Sequence, residues 1–206
     1  MPIKPEPVTP AFQNWFEGIK VVNADGQPLV LYHGAALGED TDITQFNGTR
    51  QPDKTFTSSV GKFHGIGSFF TESPLVADSF PASCSQQNTR RTYPVFASVA
   101  NPKRYKTLTQ ALADFNDYYG GDPERFVQAL QQQGHDGVYF KEGPSWAGKR
   151  KALQAGTWVP FKPAQVKSSM GNNGNFDAAN PDIRFSMPDV NGVEDEAENG
   201  TETPCP

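Results

Sequence analysis

The sequence predicts an α+β fold, in which short strands and helices follow one another without the strict alternation of a parallel α/β sheet. Three observations carry this. An Asp25-Gly26 pair separates two apolar runs, 19–23 and 28–32, which is a strong local signal for a hairpin. The stretch Gly65 to Phe80, G-I-G-S-F-F-T-E-S-P-L-V-A-D-S-F, passes from two glycines through a short aromatic strand into a capped helix. Two helices, Thr109–Tyr118 and Asp122–Gln133, then stand back to back between strands at 94–99 and 136–140.

Taken in order, the first ten residues hold Pro2, Pro5, Pro7 and Pro10 and read as an extended lead-in. Ala11 to Glu17 is a short helix with Phe12, Trp15 and Phe16 at helical spacing, and Gly18 ends it. The second hairpin strand delivers L-V-L-Y-H-G, so His33 and Gly34 are expected to emerge at its end. A histidine in a chain is ordinarily a satisfied structural residue. Here, the end of a buried strand and a following glycine with bare backbone favour contact with a ligand. Residues 35–63 form a long irregular connection with at most short strands at Ile43–Phe46 and Thr55–Ser58; Arg50, Lys54 and Lys62 read as solvated charges and His64 as loop surface.

Gly65 and Gly67 describe a backbone that turns tightly beside something it must approach closely. Ser73 caps the following helix and Pro74 sits at its first position, where no N–H is needed. Phe69 and Phe80 could then face each other across one gap and make a slot for a flat ligand, although plain core packing is the ordinary reading of both rings.

Beyond a polar loop through Arg90 and Arg91 come a strand at Pro94–Val99, closed by Asn101-Pro102, and the two helices, the second opening on Asp122 and Pro123 and stopped by Gly134. Asp136–Phe140 is a strand, Glu142–Gly156 a basic, glycine-rich loop, and Thr157–Phe161 the last strand, where Pro160 argues for a sheet edge or a bulge. The stretch from Met170 to Ser186 ends N-P-D-I-R-F-S and is expected to pack along the surface.

With 206 residues, 36% hydrophobic and 12% aromatic, the chain suits one core. The expected organisation is a lead-in at 1–10, a domain at 11–186 and a disordered acidic tail at 187–206, in which Asp189, Glu194, Asp195, Glu196, Glu198 and Glu202 carry much of the net charge of −5. The body without that tail is near neutral and shows no broad basic face of the nucleic-acid-binding kind. Cys84 and Cys205 have no metal-ligand spacing, so no metal is expected. No apolar run approaches the ~18 residues of a membrane span, and the start lacks a signal-peptide core. A cytoplasmic monomer is the expectation.

Strand-His33-Gly34, G-x-G-x-Phe69-Phe70 with a helix ending in Phe80, and a late strand leading into Ala164-Gln165-Val166-Lys167 stand in an order that resembles the ADP-ribosyltransferase fold, in its diphtheria-toxin and poly(ADP-ribose)-polymerase branch. The nearer likeness is to the ADP-ribosyltransferase domains of phage and mobile-element polyvalent proteins, through Y-H-G, F-F-T-x-x-P, a D-G-V strand, F-x-P-x-Q-[IV]-K-S and G-N-x-G-x-F-D-x-x-N-P-D-I-R-F-S. It covers Trp15 to Ser186. The resemblance implies two small, mostly antiparallel sheets, split and twisted, with an NAD cleft between them and helices outside.

It also implies roles. His33 would hold a ribose hydroxyl of NAD and Gly34 would bond the nicotinamide amide through its backbone. Phe69 and Phe80, eleven apart, would hold the nicotinamide ring. The sequence departs from the family at two positions: the catalytic glutamate corresponds to Thr157, and the small hydroxyl on the helix to Ala77. Threonine has no charge with which to stabilise an oxocarbenium-like sugar. Three accounts follow: the acceptor supplies the carboxylate, Glu142 supplies it, or the domain binds NAD without catalysis. The expected function is mono-ADP-ribosyl transfer from NAD to a macromolecule, a bacterial protein first and a nucleic acid second, in a phage or toxin setting. The alternatives are a non-catalytic module that docks NAD-like ligands or a partner, and an NAD glycohydrolase.

Overall fold

The strand that carries His33 is the hub of the molecule. In the computed structural model, which describes residues 9–38, 41–51, 57–80, 89–143, 154–170, 172 and 176–184, Leu31–Leu37 (β1) pairs antiparallel with Phe70–Thr71 (β2) on one side and Thr89–Ala97 (β3) on the other. Pro102–Arg104 (β4), Gly137–Glu142 (β5), Ala155–Pro160 (β6) and Val166–Ser168 (β7) complete a seven-stranded sheet in the order β4-β5-β6-β2-β1-β3-β7. Its β4–β5 pair is parallel and the other pairs are antiparallel. The two halves, β4-β5-β6 and β1-β3-β7, meet through β2, which is two residues long. The expected pair of small sheets is therefore one curled sheet with a narrow waist, and the fold class is α+β.

Five α-helices accompany the sheet among the described residues: Pro10–Phe16 (α1), Ser59–Phe63 (α2), Pro74–Ser79 (α3), Leu108–Tyr119 (α4) and Pro123–Gln132 (α5). Their starts follow capping chemistry. Ser73 Oγ accepts from Val76 N at 3.4 Å and Asp122 Oδ1 from Arg125 N at 3.0 Å, each with proline at the first helical position, as the sequence predicts. One core, on the β1 face that bears Leu31, Ala35 and Leu37, gathers Ile43, Phe46, Phe70, Val95, Trp158 and Ile183. A second lies where α2, α4 and α5 cover β5 and β6, and it holds Phe63, Phe115, Phe126, Phe140 and Val159. Its rings meet mostly edge to face, with centroids 5.2 to 6.0 Å apart, a geometry that adds about 0.5–1.5 kcal/mol per pair to simple burial.

The glycines of the organising stretch approach protein. A Cβ on Gly65 would stand 2.6 Å from the Arg50 carbonyl oxygen and 2.7 Å from Pro123, and one on Gly67, at φ +153°, 2.8 Å from the Pro160 oxygen.

Several expected boundaries move. The Asp25-Gly26 turn forms, with Gly26 at φ 74° and Asn23 Oδ1 bonded to the Asp25 and Gln27 amides, but it closes a single bridge, Val22 to Pro28. The strand starts later, at Leu31, so His33 and Gly34 lie inside β1 rather than at its end. Cross-strand pairing explains the shift: β3 begins at Thr89, and Arg90 and Arg91 lie opposite Ala36 and Ala35. Ile43 and Phe46 are buried without forming a strand; of the strand expected at Thr55–Ser58, positions 55 and 56 lie outside the described residues and Ser58 caps α2 instead. Pro160 ends a strand that is interior to the sheet, beyond the Trp158 position where β2 stops, so its missing N–H breaks no ladder there. The lead-in through Val8, Cys84, Cys205, the acidic tail and the loop at 144–153 lie outside the described residues.

The late motifs are joints. The Gln165 amide donates to the Ser98 and Asp136 carbonyls at 2.7 and 3.1 Å, and the Asp136 carboxylate takes the Ala100 and Asn101 amides at 2.7 and 2.8 Å. Lys167, fully buried in β7, donates to the carbonyls of Asn180 and Asp182, while Ser168 N bonds Ile183 O at 2.9 Å. Burial lowers the Lys167 pKa, and Asp177 and Asp182 partly restore it. We predict that Lys167→Met strips two carbonyls of a charged donor and destabilises the fold by about 2–3 kcal/mol. Thermal melting and limited proteolysis of the 176–184 segment check this; an unchanged melting temperature would refute it.

Candidate active site

Strand register sets a row of side chains across the waist of the sheet. Tyr32 pairs with Thr71, Thr71 with Thr157, and Thr157 with Phe140, so four strands contribute to one line. Glu142, two residues beyond Phe140 on β5, falls on the same face and diagonal to Thr157. The sequence reading put Glu142 in a loop. It is instead the last residue of β5, carried there by pairing with Ala155, and it is buried.

The burial has an electrostatic result. Desolvation pushes the Glu142 carboxyl up to about 7, and the neighbouring Thr157 hydroxyl pulls it part of the way back down. Thr157 Oγ1 is itself buried and closes no well-formed hydrogen bond, so it lies near enough to act on the carboxyl electrostatically without satisfying it. A carboxyl poised near neutrality against an unpartnered hydroxyl is the arrangement expected of a reactive group rather than of a structural ion pair.

Of the other sequence-singled residues, His33 lies on the face opposite this row. His33 Nδ1 donates to the Phe69 carbonyl at 2.7 Å, which fixes the orientation of the ring. The His33 ring lies 5.0 Å from Phe46 and 5.4 Å from Phe70, against the first core, so its side chain points to the face opposite that of Tyr32. Helix α3, which carries Ala77 and ends at its C-cap residue Phe80, packs on β1 and β3. Ala77 is buried and Phe80 is 36% exposed. Phe69 is half-buried, with ring contacts to Phe63 at 5.9 Å, His64 at 5.1 Å and Phe140 at 5.9 Å. Phe69 thus touches Phe140, the cross-strand partner of Thr157, while Phe80 stands at the end of α3.

Two residues were missed by sequence reasoning. Glu72 follows Thr71 and is a second carboxylate near β6, but Oε1 accepts from Trp158 Nε1 at 3.1 Å and Oε2 from Gly156 N at 3.2 Å. It also stands where a Gly156 Cβ would be. Glu72 is therefore tied to the Trp158 side of β6, opposite Thr157. His64, read as loop surface, caps α2 and is half-buried against Phe69; burial first and the Arg50 guanidinium second hold its pKa below the usual histidine value. Its place next to the Gly65–Phe80 stretch was the available signal. No cluster of potential metal ligands occurs among the described residues, and no described helix is long and apolar enough to cross a membrane.

Comparison with curated proteins and with solved structures gave no match. A family model described as ADP-ribosyltransferase in polyvalent proteins matches residues 23–176, a span that takes in β1 through β7 and every residue of the row. The α+β sheet and this match together settle kinship: the chain belongs to the ADP-ribosyltransferase family of polyvalent proteins.

Proposed function

We propose that the chain is a mono-ADP-ribosyltransferase that moves one ADP-ribose from NAD to a macromolecular acceptor, and that Glu142 supplies the carboxylate missing at Thr157. The observation that carries this is the burial of Glu142 on the Thr157 face, without a cationic partner among the described residues. In this reading the nicotinamide ring lies between Phe69 and Phe80, its amide against the Gly34 backbone and Ala77, and His33 holds a ribose hydroxyl. The nicotinamide–ribose bond breaks with its electron pair passing to the ring nitrogen, and the positive charge that develops on the sugar is what an ionised Glu142 stabilises. A cationic nicotinamide arriving beside Glu142 also favours its ionised form. The acceptor is read as a bacterial protein, encountered by a monomer in the cytoplasm of a phage host or target cell, as the sequence resemblance to phage and mobile-element domains implies.

Incubation of the pure protein with NAD, with and without a bacterial lysate, tests the reading. Labelled macromolecule supports transfer. Free ADP-ribose alone would make the protein a glycohydrolase, and bound NAD without turnover would make it the non-catalytic module that Thr157 alone suggests.

Glu142 gives a prediction with two signs. Its folded pKa, about 7, lies above the ordinary 4.5, so between those values the folded state keeps a proton that the unfolded state releases. Stability therefore falls as pH rises through this window, by about 3 kcal/mol in total, and stays reduced above it. Glu142→Gln should raise the melting temperature at pH 8 with little effect at pH 4, while abolishing transfer and NAD hydrolysis together. Wild-type turnover should rise with pH through about 7. A variant that is active, or one that melts lower at pH 8, would remove Glu142 from the site.

For the ring slot, Phe69→Ala should weaken NAD binding by about 1–3 kcal/mol through lost stacking, in a protein that still folds. Titration calorimetry reads this directly, and unchanged affinity in a folded variant would end the nicotinamide assignment.

A further inference from the structure

Of the three histidines, two are tied to backbone: His33 Nδ1 to the Phe69 carbonyl at 2.7 Å and His135 Nδ1 to the Asn101 carbonyl at 3.1 Å. His64 differs. Its imidazole has no hydrogen bond to a described residue and stands edge-on to Phe69, with centroids 5.1 Å apart and planes at 80°. Phe69 in turn touches Phe140, the cross-strand partner of Thr157 and the residue two before Glu142. We propose that His64 is the base that takes the proton of the acceptor, and that the acceptor is a neutral hydroxyl group. The proposal rests on the transferase reading above.

The chemistry asks for such a group. When a hydroxyl oxygen attacks the ribose C1′, a C–O bond forms, the C1′–N bond breaks, its electron pair neutralises the nicotinamide nitrogen, and the hydroxyl proton must leave. Glu142 cannot take that proton and remain the anion opposite a cationic sugar. A separate neutral base resolves the conflict, and burial together with Arg50 favours the neutral form of His64. A weak base suffices because the hydroxyl becomes strongly acidic as its oxygen bonds to C1′. A carboxylate acceptor would carry no proton to remove and would leave His64 without work.

The experiment uses the full chain with NAD, water as the hydroxyl acceptor, and azide as an anionic acceptor that needs no base. His64→Ala and His64→Gln should release nicotinamide in water about 100-fold more slowly than wild type or worse, with NAD affinity unchanged. Azide should return both variants to the wild-type rate measured with azide, with a ribosyl azide identified by mass. Wild-type rates in water for either variant would overturn the inference, as would a loss that azide does not repair. In both of those cases turnover by the wild type leaves the transferase reading standing. A wild type that releases no nicotinamide with either acceptor overturns this inference, while labelling of a macromolecule in the lysate experiment decides the transferase reading separately.

Discussion

Everything in this molecule depends on a strand of two residues. Phe70 and Thr71 carry the pairing of β2 with β1 at Tyr32 and with β6 at Thr157 and Trp158, and so join the halves of the sheet. The two residues work on opposite faces. Phe70 fills the first core beside Phe46 and Trp158, while Thr71 sits in the row that leads to Phe140. So short a strand has few ladder bonds, each worth on the order of 1 kcal/mol; its position must be imposed from outside. The glycines before it do this: Gly65 lets the chain pass against Arg50 and Pro123, and Gly67 lets it pass against the Pro160 carbonyl on β6. Closeness that any side chain would block fixes where Phe69, Phe70 and Thr71 fall.

What the sequence made legible was local chemistry. Ser73 with Pro74, Asp122 with Pro123, and the glycines at 18 and 134 mark helix ends because caps and left-handed residues act within a few positions of themselves. Strand ends were not legible, since a partner far along the chain decides them. Arg90 and Arg91 read as a polar loop and are strand residues because Ala36 and Ala35 lie opposite. Glu142 read as the start of a loop and is a strand residue because Ala155 lies opposite. The candidate site suffered from the same limit: His33, Gly34, Phe69 and Phe80 were visible as a pattern, whereas the meeting of Glu142 with Thr157 and of His64 with Phe69 needs the register and the second core.

The motifs divide by what they do. Asp136 ties two backbone amides, Gln165 ties two backbone carbonyls, and Lys167 holds two more in the segment after Met170. These are polar side chains spent on backbone groups, exposed ones at Ala100 and Asn101 and part-buried ones elsewhere, and a change at any of them removes a partner from a main-chain donor or acceptor. The late part of the family pattern therefore preserves shape. It places no demand on which side chain presents a carboxylate, and a threonine at 157 is compatible with the fold as it stands.

The geometry of neighbouring strands explains how a carboxylate could change its address. Position 157 lies opposite Phe140, and Glu142 is the next residue of β5 on that face, so a longer side chain from 142 reaches the space beside 157 along the diagonal. A small hydroxyl at 157 leaves room for it. Glu72 cannot serve in its place, with both oxygens committed to Trp158 and Gly156 on the other side of β6. A structural carboxylate would be expected to sit as Glu72 does, fully bonded. Glu142 instead carries a desolvation cost of about 3 kcal/mol at neutral pH and above, inferred from its displacement from 4.5 to about 7. A fold that gains nothing from that cost could shed it with a single change to glutamine. Its burial beside the waist of the sheet is the physical ground of the proposal that the chemistry lies there.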